Sequence, residues 1–169
     1  MSEKIQTFLR ERLPDTPCLV VDLDVVSARY NELAKTFPRA RIYYAIKANP
    51  AREILNRLHV LGAYFDAASI YEIETCLDIG IGADRIAFGN TIKKQRDIAR
   101  AHNYGVRLFA FDSWAELAKL EQAAPGAAGG HPLKGSGGMH QPPGGNPELE
   151  KKSSELKIKS DELSKDLIK

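Results

Sequence analysis

Gly62-Ala63-Tyr64-Phe65-Asp66-Ala67-Ala68-Ser69-Ile70-Tyr71-Glu72-Ile73 is the stretch whose reading decides the fold. Gly62 punctuates the end of one helical pattern. Tyr64-Phe65-Asp66 is a short aromatic run that reads as a strand. Ser69 with Glu72 three residues on is a capping box, and it opens a helical pattern over residues 70–79.

Outward from there the same unit recurs. Strand-like runs occupy residues 19–22, 42–46, 64–66, 86–88 and 106–111, so their starts lie 23, 22, 22 and 20 residues apart. Helical patterns fill residues 25–37, 52–61, 70–79, 93–103 and 114–122. Ser113-x-x-Glu116 is a second capping box, and Pro38, Gly80 and Gly105 mark helix ends. A βα unit repeating this tightly predicts an α/β fold with parallel strands. No G-x-G-x-x-G follows a strand, which weakens a doubly wound dinucleotide fold. Short, even repeats favour a (β/α)8 TIM-type barrel. Only about five βα units are present where a barrel needs about eight, so the expectation is a partial barrel.

Three segments follow from composition. Residues 1–124 hold the repeat. All 13 aromatic residues lie at or before Trp114. Residues 125–147 carry Gly or Pro at 13 of 23 positions, too few apolar groups to offset ordering, and read as a disordered linker. Residues 148–169 read as a charged helical tail, with Leu149, Leu156 and Leu163 on a thin seven-residue stripe.

The whole chain has 169 residues, 24 basic and 22 acidic side chains, and 43% hydrophobic residues. Basic and acidic groups are interspersed, which gives no field for nucleic acid. No apolar run approaches a membrane span, and residues 1–6 lack a signal-peptide apolar region. Two cysteines, Cys18 and Cys76, make no disulfide framework and suit a reduced, cytoplasmic setting. His131 and His140 lack partner ligands for a metal.

In a βα barrel, chemistry sits at the C-terminal strand ends. Reading each strand to its end collects Lys47, Asn49, Asp66, Asn90 and Asp112 on one rim; Asp22 ends the first run. Lys47 leaves the apolar run Tyr43-Tyr44-Ala45-Ile46. Partial desolvation there would make its amine a nucleophile able to form a Schiff base. The plainer reading is a lysine snorkelling to the rim. Asp66 and Asp112 can equally be helix-entry residues, Glu72 a capping residue, and Asn49 and Asn90 turn residues.

Tyr44-Ala45-Ile46-Lys47-Ala48-Asn49-Pro50 resembles the signature of the fold-type III pyridoxal phosphate (PLP) enzymes, the barrel decarboxylases and alanine racemase. Phe65-Asp66-Ala67-Ala68-Ser69-Ile70-Tyr71-Glu72-Ile73 and Phe88-Gly89-Asn90-Thr91-Ile92-Lys93 resemble the ornithine (lysine/ornithine) decarboxylase branch. Pro17-Cys18-Leu19-Val20-Val21-Asp22-Leu23 is similar to that family's first strand. The likeness runs in order from about residue 13 to 122.

The resemblance implies an alanine racemase-like barrel, PLP as cofactor and decarboxylation of L-ornithine to putrescine in polyamine synthesis. Lys47 would hold the cofactor, with Ala45 lining its ring and Asp66, Glu72 and Asn90 close by. It also implies a homodimer. The family's phosphate loop, ring-nitrogen carboxylate and partner-subunit residues have no match in this chain. A non-catalytic module that pairs with full-length decarboxylase subunits is therefore the competing expectation. A Schiff-base aldolase is a third, and the Asp66–Glu72 block argues against it.

Overall fold

The structure, a computed structural model, describes residues 2–130. The Gly/Pro-rich stretch from residue 131, the helical tail at 148–169, His131 and His140 lie outside the described residues. Six α-helices are described: α1 (Glu3–Arg12), α2 (Leu23–Thr36), α3 (Arg52–Val60), α4 (Ile70–Asp78), α5 (Gln95–Asn103) and α6 (Trp114–Ala123). Five strands alternate with the last four: β1 (Tyr43–Ala45), β2 (Tyr64–Ala67), β3 (Ile86–Phe88), β4 (Leu108–Ala110) and β5 (Ala128–Gly130).

All ladders are parallel and the order is β1-β2-β3-β4-β5. A doubly wound sheet reverses its order at a switch point; this sheet does not. Successive parallel neighbours joined by right-handed crossovers place their helices on one face. That face is the core: Phe65, Ala67, Ile86, Phe88 and Phe109 from the strands pack with Leu55, Leu58, Ile73, Ile98 and Leu117 from the helices.

Helices α3 to α6 each contribute buried apolar residues, such as Ile54, Leu55 and Leu58 in α3 or Ile70, Ile73 and Cys76 in α4. Three helices then leave by one device. After α3, Gly62 sits at φ 93° and Ala63 N–H donates to Leu58 O at 3.0 Å. Gly80 with Ile81, and Gly105 with Val106, repeat it after α4 and α5. The glycine takes the left-handed turn that a side chain resists, and the next apolar residue drops into the core and feeds the following strand.

Two expectations need correction. Residues 19–22 form no strand; Leu19 is 82% exposed. Their β-propensity finds no ladder partner, and Asp22 instead caps α2, accepting from Asp24 N–H at 3.0 Å. The polar N-terminus forms α1, capped by Ser2 and clipped to α2 by Lys4–Asp24 at 2.6 Å. Residues 128–130, read as linker, form β5 and pair with β4. Glycine carries little strand propensity, and the edge of β4 supplies the partner that propensity could not foresee.

Replacing Ile98, fully buried on α5, by valine is expected to cost about 0.5–1.5 kcal/mol of unfolding free energy. Val60→Ser, at a position 83% exposed, should change it by less than about 0.5 kcal/mol. Urea denaturation of the two variants checks both, and equal effects would contradict the assignment of the core face.

Candidate functional site

Side chains alternate along a strand. In β2, Phe65 and Ala67 are buried in the core, so Asp66 emerges on the opposite, half-exposed face. Register places Ala45 of β1 and Ala87 of β3 on either side of it. The row Ala45–Asp66–Ala87 thus sets one carboxylate between the two small side chains of its neighbours. Farther toward the strand starts, the rings of Tyr43 and Tyr64 meet at a tilt of 38° with centroids 5.2 Å apart.

Beyond β3, Gly89 N–H donates to Ala67 O at 2.8 Å, which lays the chain across the end of β2. A Cβ at Gly89 would collide with the Asp66 carboxylate. A side chain at this position would push the Asp66 carboxylate aside. Burial raises the Asp66 pKa above the ordinary 3.8, and the nearby Lys47 ammonium pulls it part of the way back.

Lys47 lies just past β1, in a 3-10 turn spanning Ile46–Ala48. Ile46 is fully buried, whereas Lys47 is exposed. The partial desolvation expected for this lysine is therefore absent among the described residues. The chain turns after Ala45, and β1 is an edge strand with no described strand on its outer side. Lys47 nonetheless stays within electrostatic reach of Asp66.

The other expected site residues carry local bonds. Glu72 Oε2 accepts from Ala68 N–H at 2.6 Å, while Ser69 Oγ accepts from Glu72 N–H at 3.3 Å, so the capping reading of this pair holds. Asn90 is exposed, and its Nδ2 donates to Ile92 O at 2.9 Å. Asn49 Oδ1 accepts from Ala51 N–H, a turn role. Asp112 is exposed, and Ser113, not Asp112, caps α6. Asp22 caps α2 and takes no part in the strand-end row.

Sequence reading missed one cluster. Glu116, expected to complete the second capping box, is buried and does not fold back on Ser113. Its Oε1 accepts from Lys93 N–H at 2.9 Å and lies 3.1 Å from Lys93 Nζ, and its Oε2 lies 2.5 Å from Lys119 Nζ. Lys93 leaves the predicted helix, which begins at Gln95 instead, and its side chain is fully buried. The spacing Glu116-x-x-Lys119 was the one available signal. Among the described residues no group of His, Cys, Asp and Glu forms a metal cluster. No described helix is long and apolar enough to cross a membrane.

What the described geometry brings together is a strand-end amine within electrostatic reach of a carboxylate, at one end of a sequential parallel sheet. Residues 23–133 match the family profile of the pyridoxal binding domain of pyridoxal-dependent decarboxylases, and the chain belongs to that family. Pyridoxal phosphate is that family's cofactor. The lysine/ornithine decarboxylase of Selenomonas ruminantium is 41% identical over 127 residues, covering 75% of this chain and 32% of that protein. Antizyme inhibitor 2 of Xenopus laevis is 36% identical over 108 residues, covering 64% and 24%. The structure of Vibrio vulnificus lysine/ornithine decarboxylase complexed with cadaverine superposes with TM-score 0.74 at 25% identity, over 92% of this chain and 43% of that one. The chain spans about a quarter to a third of the length of these curated relatives.

Replacing Lys47 by methionine removes the one opposing charge on Asp66, so the Asp66 pKa should rise further. Carboxyl-detected NMR titration of Asp66 measures it, and a fall would contradict the coupling. A raised carboxyl pKa means that the folded state keeps its proton longer than the unfolded one. The Asp66 contribution to stability is then present below the ordinary 3.8 and is lost as pH climbs through the raised value.

Proposed function

We propose that this chain is the cofactor-holding part of a PLP-dependent basic amino acid decarboxylase, built as a partial (β/α)8 barrel of the alanine racemase-like type. L-ornithine is the substrate and putrescine the product. The observation that carries the reading is the placement of Lys47 and Asp66: one amine and one carboxylate, electrostatically coupled, at one end of the sheet. Sequential strand order supports the barrel, since a barrel sheet adds strands in chain order.

The residues fit the cofactor. Lys47 offers an accessible primary amine to an aldehyde. Ala45 and Ala87, flanking Asp66, leave the strand surface open for a flat ring. Asp66 supplies a negative charge beside the amine. Glu72 holds the β2–α4 turn through Ala68 N–H, and Asn90 presents its side chain at the neighbouring loop. Bound PLP supplies an electron sink for the pair left at Cα when CO2 departs. The protein's part is to fix that sink in position and to keep charge of the right sign next to it. Ornithine stands in the names of the lysine/ornithine and ornithine decarboxylases among the relatives, and arginine in that of a structural neighbour from Paramecium bursaria Chlorella virus. The free cysteines, with the Cys76 thiol pushed up to about 12 by burial, support a cytoplasmic setting. Pairing into a homodimer completes the proposal.

One observation favours a second reading. A relative of similar identity bears the name of an antizyme inhibitor, not of an enzyme. In that reading the chain is a non-catalytic module that pairs with full-length decarboxylase subunits.

Titration of the purified chain with PLP, followed by visible absorbance, tests both. The first reading expects a band that is lost in Lys47→Ala, together with CO2 release from ornithine in excess of that from lysine or arginine. A Lys47-dependent band without CO2 favours the second reading. A band that survives Lys47→Ala overturns the assignment of Lys47.

A further inference from the structure

Lys93 is the one fully buried lysine side chain among the described ion pairs, and its surroundings are specific. Its ammonium has three protons to donate. They meet Asn90 O at 2.8 Å, Ala110 O at 2.5 Å and Glu116 Oε1 at 3.1 Å; Thr91 O lies at 3.4 Å. Two of the carbonyls belong to the loop after β3, and Ala110 ends β4. Glu116 also holds Lys93 N–H, and Lys119 donates to Lys93 O at 2.6 Å. Backbone and side chain of Lys93 are thus both bound to α6. At the other end of the same loop, Gly89 is bonded to Ala67 and lies hard against Asp66.

A surface loop could be stitched down by neutral hydrogen bonds alone. Here an ammonium has been taken out of water to do it, and burial lowers its pKa against the opposing pull of Glu116. Buried ion pairs add little to stability compared with apolar residues of the same shape. What the pair adds is a fixed geometry. The geometry points to a positioning role: the Lys93–Glu116 pair is a buried tether that pins the 89–93 loop over the end of β2 and thereby fixes the Asp66 carboxylate at the cofactor site. The tether itself is independent of which cofactor binds, and only its effect on PLP affinity rests on the function proposed above.

Two measurements decide it. The first uses the unmodified chain without cofactor. Amide hydrogen exchange at Gly89 and Lys93 should be slow and should match that of α6, because the loop and α6 open together. Fast exchange at both amides, independent of α6, overturns the tether even if every variant unfolds. The second uses Lys93→Met with Glu116→Leu, which exchanges the ion pair for apolar side chains, whereas Lys93→Met alone keeps Glu116 buried and bound to Lys119. In the double variant the Asp66 titration should move toward the ordinary carboxylate range as water reaches the carboxyl. Lys47 and Tyr43, the other titratable groups that act on or with Asp66, are unchanged in it. PLP should bind about tenfold more weakly, in line with the loss of an outer supporting contact. An unshifted Asp66 titration in the folded double variant overturns the proposal. Failure of the unmodified chain to bind PLP would instead count against the proposed function and leave the Asp66 result to judge the tether.

Discussion

Phe65 and Ala67 cannot both be buried without turning Asp66 the other way. This alternation is the constraint on which the site depends. The aromatic ring and the methyl group belong to the helix-covered core, and a strand has only two faces. A carboxylate in the middle of β2 is therefore delivered to the uncovered side at a fixed height. The parallel register then sets its neighbours, Ala45 and Ala87, with no side chain large enough to fill the space beside it. Lys47 reaches the same region because β1 ends two residues earlier and the chain turns at once. Site geometry here is a by-product of core packing, tuned by glycine and alanine at the positions of closest approach.

Much of this was legible in the sequence. The period of about 22 residues, the aromatic strands and the glycine exits each rest on local chemistry, and the last four βα units stand where that chemistry puts them. The Ser69–Glu72 box is equally local and forms nearly as expected, with the glutamate one residue off at Ala68. What was not legible depends on partners remote in the chain. Residues 19–22 have the composition of a strand, but a strand exists only through a ladder, and none runs beside them. Residues 128–130 have the composition of a linker, yet β4 offers them an edge.

The Lys93–Glu116 cluster is the clearest case of such remote dependence. Twenty-three residues separate the pair, and each has a sound local reading, as a helix start and as a capping residue. Lys93 could have stayed in water at no cost. Only the packing of α5 against α6 closes the space around it, after which the ammonium must collect carbonyls and a carboxylate or remain unsolvated. Lys47 shows the converse. Its apolar run suggested a half-buried amine, but β1 is an outer strand of the described sheet, and the turn that follows carries the lysine into solvent. The likeness to known decarboxylases nominates Lys47, Asp66 and Asn90 through motif order, without needing those burials.

The unreversed strand order has a consequence for how this chain assembles. Tyr43 pairs with Tyr64, Phe65 with Ile86, Ala87 with Leu108 and Leu108 with Ala128, so every ladder joins residues 20 or 21 positions apart. None of these four ladders waits for a distant segment, and each closure carries nearly the same entropic cost. A chain of this kind has a low contact order for a parallel sheet, and it can zip forward unit by unit as it leaves the ribosome, each new helix sealing the hairpin-free crossover before it.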